Sequence, residues 1–151
     1  MGSLCFPLGF NFFLCALGAL CGKRFKMIYG IGIDLVQVKR IEEALARWGD
    51  RFKNKVFTPG EIDYCSRKRN SSPNYAARFA AKEALVKALG IGMRKGVHWK
   101  DVEVARGPLG KPLLKLSGQA TEVCKQEKIA GIFVSITHDQ EYSSAIVVLE
   151  K

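Results

Sequence analysis

From residue 27 onward the chain alternates between two hydrophobic periods. Residues 28–34 (IYGIGID) set Ile31 and Ile33 on either side of a glycine and carry β-forming Ile28 and Tyr29. This predicts a strand that ends at Asp34. Over residues 36–48 the period changes: Val38, Ile41, Leu45 and Trp48 recur at helical spacing among Lys39, Arg40, Glu42, Glu43 and Arg47, an amphipathic helix. Residues 50–56 read as a short basic connection containing Phe52. Thr58-Pro59-x-Glu61 starts a second helix, with Thr as cap, Pro in the first turn and Glu three residues on. It runs to about residue 67 and is followed by a polar loop over 68–72. A long helix over 73–89 and a Gly-rich, basic loop over 90–96 come next. Val102–Arg106 and Pro112–Leu116 read as strands about a turn at 107–111, and residues 117–128 as a helix capped by Ser117. Residues 132–137 alternate as a strand, 138–141 turn, and 143–149 form a closing strand too apolar to be an exposed edge, so something covers it. Helices come first and antiparallel-looking strands later. The fold class is α+β, helices packed on an antiparallel sheet.

The chain is organised around residues 78–90, RFAAKEALVKALG. The segment has strong helix formers, no interior Gly or Pro, and a stop at Gly90. Glu83 and Lys87 stand one turn apart on one side of this helix, with Ala76, Phe79 and Ala80 as neighbours on that arc. A carboxylate and an ammonium thus project from an apolar, small-residue surface, which is costly unless each has a partner. Spacing alone also fits an ordinary surface i,i+4 pair.

Composition narrows the picture. The chain has 151 residues, enough for one domain with a core, and at 48% hydrophobic and 25% charged it is globular rather than disordered. Its net charge is +10, and +7 remains from Met27 onward. A basic domain favours an anionic partner, without choosing among nucleic acid, membrane, phosphorylated small molecule or acidic protein. No known nucleic-acid motif and no basic stripe interleaved with exposed aromatics is present, which argues against nucleic acid. Of five cysteines none forms a CxxC, so no zinc framework is visible; Cys65 and Cys124 are expected to be reduced packing residues. Residues 1–26 hold an apolar run of about 19 residues followed by basic ones. The charge order is wrong for a signal peptide. The expectation is that Met27 is the true start, that residues 1–26 lie outside the fold, and that no stable membrane span forms.

Three polar groups stand out as chemistry: Asp34 at the strand end, the Glu83/Lys87 pair, and Ser135-Ile136-Thr137-His138. Each has a plainer structural reading, as a turn residue, a surface pair or a hydrogen-bonded histidine. Two carboxylates, a lysine, a histidine and no Cys cluster suit a hard cation such as Mg²⁺, which takes one or two carboxylates plus phosphate oxygens and water. With a basic surface, that points to a phosphorylated substrate. A nucleophilic serine hydrolase is discounted, since no GxSxG elbow is present.

These residues resemble a known family. Residues 27–41 (MIYGIGIDLVQVKRI), 78–90 (RFAAKEALVKALG), 110–112 (GKP) and 134–138 (VSITH) resemble the bacterial holo-[acyl-carrier-protein] synthases of the 4′-phosphopantetheinyl transferase superfamily, in the family's order. The resemblance covers residues 27–151. It implies an enzyme of fatty-acid and lipid biosynthesis in the cytoplasm that moves the 4′-phosphopantetheine arm of coenzyme A onto a serine of apo acyl-carrier protein and releases adenosine 3′,5′-bisphosphate. It also implies a homotrimer with coenzyme A in clefts between subunits. By motif, Asp34 and Glu83 hold Mg²⁺, and Glu83 or a water on the cation is the candidate base. Lys87 neutralises the leaving phosphate and His138 lies near the phosphates. Arg78, Gly90, Lys111, Pro112 and Ser135 are further coenzyme A contacts. Arg40, Arg51 and Phe52, with Arg47 nearby, dock the acidic carrier protein. Two other classes stay open: a Mg²⁺-dependent pyrophosphohydrolase, which would act on coenzyme A without a carrier, and a non-catalytic basic module, indifferent to chelator.

Overall fold

The structure of the protein, a computed structural model, describes residues 27–92 and 96–151. The apolar segment 1–26, and Arg94 and Lys95 of the Gly-rich loop, lie outside the described residues. The elements are β1 (Ile28–Gln37), α1 (Val38–Val56), α2 (Pro59–Ser66), α3 (Ser72–Leu89), β2 (Val102–Arg106), β3 (Pro112–Leu116), α4 (Gly118–Gln126), β4 (Gly131–His138) and β5 (Tyr142–Glu150). This is the expected α+β class. Among the described residues no helix is long and apolar enough to cross a membrane.

The strands form two antiparallel units: a sheet in the order β1-β5-β4 and a separate β2-β3 hairpin. The apolar closing strand is the middle strand of the sheet. Its cover is β1 on one side and β4 on the other, within one chain.

Helix α3 crosses one face of that sheet. Ala76, Ala80, Ala81, Ala84 and Leu85 have no exposed surface, and 13 of the 18 positions of the helix are buried. A helix covered on most of its sides is a core helix, whatever its propensity. The sheet comes close because β1 offers glycines: a Cβ on Gly32 would run into the Ala84 carbonyl oxygen, and one on Gly30 into that of Ala88. Gly90 ends the helix at φ 69°, the left-handed cap that glycine accepts without strain.

Two predicted boundaries are corrected. β1 does not stop at Asp34 but runs on to Gln37, and Asp34 sits inside it opposite Ala145. The first helix is not residues 36–48 with a connection after it: it continues to Val56 across a kink at Gly49 (φ 51°, ψ −129°). Glycine takes that dihedral at little cost, so the helix resumes and buries Val56. The Thr58 start is as predicted, a capping box in which the Glu61 N–H donates to Thr58 Oγ1 (3.3 Å) and the Thr58 N–H to Glu61 Oε2 (2.8 Å). Ser117 makes no such side-chain cap; its hydroxyl donates to the Asp101 carbonyl at 3.4 Å.

The other face of the sheet has no cover among the described residues. Ile31, Ile33 and Leu35 of β1 are 57%, 62% and 63% exposed, and Phe133 and Ile146 stand exposed beside them.

Candidate active site

Asp34 and Glu83 come from different elements and meet at one cavity. Alternation along β1 turns Gly30, Gly32 and Asp34 toward α3, while Ile31, Ile33 and Leu35 turn away. Asp34 is held by its neighbours: the Ser144 hydroxyl donates to its carbonyl at 2.9 Å, and Lys87 Nζ donates to its Oδ1 at 2.7 Å. Lys87 also donates to the Ile33 carbonyl at 3.1 Å. The ammonium is therefore tied to β1 rather than paired with Glu83 one turn back, the pairing that helical spacing alone would allow.

Glu83, Lys87 and Asp34 line a cavity of about 620 Å³ whose other walls include Arg40, Phe52 and Phe79. Burial, and then the adjacent Asp34 carboxylate, push the Glu83 carboxyl above the usual carboxylate range; Lys87 acts the other way. The Asp34 and Glu83 carboxylates repel each other across the cavity, and only Asp34 has Lys87 as an ion-pair partner. A hard divalent cation is the group this donor set fits, its remaining positions free for phosphate oxygens and water. The chemistry open to the site is charge neutralisation at a phosphate.

The other predicted contacts lie elsewhere on the protomer. Arg78 is buried on a different side of α3. Its Nη1 donates to the Asn74 carbonyl at 3.1 Å, its Cζ stands 4.0 Å from the centre of the Tyr64 ring, and its buried Nε has no partner among the described residues. Lys68 and Arg106 flank the same ring at 4.9 and 5.6 Å, so three cations surround one aromatic ring. Gly110, in the turn before Lys111 and Pro112, lies against the Arg106 guanidinium. Arg78 and the GKP turn thus belong to one basic cluster on either side of Tyr64. Gly90 caps α3 in open space. Ser135 is exposed on the uncovered sheet face, and His138 is exposed at the end of β4. After it, Asp139 Oδ1 accepts the Glu141 and Tyr142 N–H groups, and these bonds, the Tyr142 one foremost, draw its carboxyl below the usual range.

Of the predicted carrier contacts, Arg40 and Phe52 line the first cavity, as does Arg47, which lies 5.1 Å over the Trp48 ring. Arg51 and Phe52 line an adjoining groove of about 460 Å³. Sequence reasoning missed the aromatic lining that joins the two, Trp48 and Phe79 with Trp99 stacked on Phe79 (4.8 Å, 28°), and the buried Lys82–Glu61 ion pair beneath it. A signal for the pair was present: Lys82 stands one turn before Leu85 and Val86 and beside Ala81 in a helix rich in small and apolar residues, where a solvated lysine is out of place.

A core helix laid across an antiparallel sheet, with Glu83 on the helix, Asp34 on the sheet and Lys87 tied to Asp34, defines a small α+β domain with two carboxylates at one cavity. The model of the 4′-phosphopantetheinyl transferase superfamily matches residues 30–147. The chain belongs to that superfamily, and within it to the holo-[acyl-carrier-protein] synthases. The synthase of Geobacter sp. (strain M21) is 48% identical over 125 residues, 83% of this chain and the whole of that one. The Neisseria meningitidis synthase structure superposes with a TM-score of 0.76 at 34% identity, over 83% of this chain and all of that one. The Helicobacter pylori synthase, solved in complex with coenzyme A, gives 0.70 at 35% identity, covering 79% of this chain and 98% of that one.

Proposed function

We propose that residues 27–151 form the transferase domain and move the 4′-phosphopantetheine group of coenzyme A to a serine of an apo acyl-carrier protein of fatty-acid synthesis in the cytoplasm, releasing adenosine 3′,5′-bisphosphate. The observation that carries this is the meeting of Asp34, Glu83 and Lys87 at one cavity. Asp34 and Glu83 hold Mg²⁺ together with the pyrophosphate of coenzyme A. Held by those two carboxylates, a divalent ion would supply neutralisation of negative charge on the phosphates. Lys87, already beside Asp34, supplies a positive charge to the leaving phosphate. Glu83, or a water beside it, is the acceptor for the serine's proton.

The basic cluster of Arg78, Lys68, Arg106 and Lys111 binds a further anionic group of coenzyme A, and Gly90, Pro112, Ser135 and His138 complete its contacts. On one protomer these residues are not gathered at the cavity. A homotrimer that covers the exposed β1–β5–β4 face brings them to it from a neighbouring copy; an apolar face of this kind marks an interface. The carrier docks beside the cavity through Arg40, Arg51 and Phe52, cations around an apolar floor that suit an acidic partner.

Incubation with coenzyme A, Mg²⁺ and an apo carrier tests the reading by the mass of the carrier. The expected result is the gain of one phosphopantetheine, abolished by chelator. Release of adenosine bisphosphate without a carrier would instead make the protein a hydrolase. Carrier binding that ignores chelator, with no mass gain, would make it a binding module.

A further inference from the structure

Lys82 takes no part in that reaction, yet none of its surface is exposed. Its ammonium reaches three separate segments: Glu61 Oε2 at 2.8 Å, the Val56 carbonyl at 2.9 Å and the Trp99 carbonyl at 2.9 Å. Glu61, equally buried, accepts the backbone N–H groups of Thr58 and Val104 at 2.8 and 2.9 Å. All three protons of the ammonium are therefore committed, and none is left for a ligand. A buried ion pair adds little stability over apolar side chains of the same volume. Its effect here lies in what it holds in place.

Two of the segments it grips are walls of one groove. Val56 and Trp99 line the 460 Å³ groove together with Phe52 and Phe79, and exposed Arg51 and Lys55 belong to the same lining. The Trp99 ring rests on Phe79, which lies one turn before Glu83 and also lines the first cavity. The Lys82 clamp adds polar ties from α3 to the Trp99 turn and to the end of α1, beside the Trp99–Phe79 stack, and so helps to fix the floor of the groove.

We infer that Lys82, paired with Glu61, is a positioning residue for the carrier protein: through Val56 and Trp99 it fixes an aromatic groove that receives apolar side chains next to the carrier's target serine. This rests on the reading that an acidic carrier docks beside the cavity. It assigns the clamp to carrier affinity rather than to chemistry or coenzyme A binding.

The test is a split of kinetic constants. The double variant Lys82→Met/Glu61→Gln removes both charges, so no lone buried ion remains. The expected result is cooperative unfolding, a KM for apo carrier raised about tenfold, the size of one lost interface contact, and kcat and the KM for coenzyme A changed less than about twofold. Trp99→Ala leaves the ion pair intact and is expected to give the same split; if the double variant does not fold, Trp99→Ala decides alone. An unchanged carrier KM, or equal losses in carrier and coenzyme A constants, overturns the inference. Arg40→Glu is measured alongside. If it also leaves carrier KM unchanged, the docking reading itself fails; if it raises carrier KM while the groove variants do not, only the role of Lys82 falls.

Discussion

The side chains of this protein show how far burial overrides residue type. Cys65 is fully buried and unpaired, and burial pushes its thiol up to about 11. A thiol raised in this way is almost wholly protonated at pH 8, and the protonated form is not the nucleophile. Native protein treated with iodoacetamide at that pH should leave Cys65 unmodified, with labelling appearing only as the fold opens; mass spectrometry of a time course checks this, and prompt labelling would contradict it. Glu83 shows the same force on a functional group, since burial and Asp34 raise its carboxyl. The sequence made Glu83 and Lys87 legible as an unusual pair on an apolar surface, but not the partner of the lysine. Lys87 turns to Asp34, more than fifty residues away in sequence, a contact that only the packing of α3 on β1 creates.

Among the elements, local signals sufficed where the chain carries its own punctuation. The β2-β3 hairpin, the Thr58 capping box and the Gly90 stop follow directly from Pro, Gly and cap residues. They failed at Gly49, where a glycine reads as a terminator but serves as a kink inside α1, and at Asp34, where a polar residue reads as a strand end but faces a site. The contact of β1 with α3 depends on missing side chains. Gly32→Ala places a methyl against the Ala84 backbone, which cannot swing aside as a side chain would. The expected cost is about 1–3 kcal/mol or more in a denaturant melt, with activity falling further because Asp34 rides on the displaced strand. Unchanged stability would mean that β1 sits off the helix. On α1, Arg40 faces the cavity from a helix rich in cations. Arg40→Glu should weaken carrier binding by about tenfold or more at low salt and by less at high salt, because the contact is between opposite charges. Titration of carrier against both forms across a salt series reads this, and a flat ratio would remove Arg40 from the interface.

At the scale of the molecule, the described residues leave Ile31, Ile33 and Leu35 of the sheet exposed, and the residues proposed to contact coenzyme A fall into two separate groups. Residue patterns could not show this, because the alternation of β1 looks the same whether the outward residues meet solvent or another chain. Ile33→Asp should convert a trimer to monomers without unfolding them, since the carboxylate replaces an exposed side chain and not a core one. Light scattering would show the mass fall to one third and activity fall with it. A wild-type monomer that is fully active would contradict the trimeric site.

The account as a whole depends on one cation shared by Asp34 and Glu83. Its most direct test is calorimetric titration of Mg²⁺ into the protein with coenzyme A present, for the wild type and for Asp34→Ala and Glu83→Ala. The account predicts one ion bound per site in the wild type, no measurable binding in either variant, melting curves close to those of the wild type, and transfer lowered at least about a hundredfold in both. Full Mg²⁺ binding and turnover in either variant would contradict it.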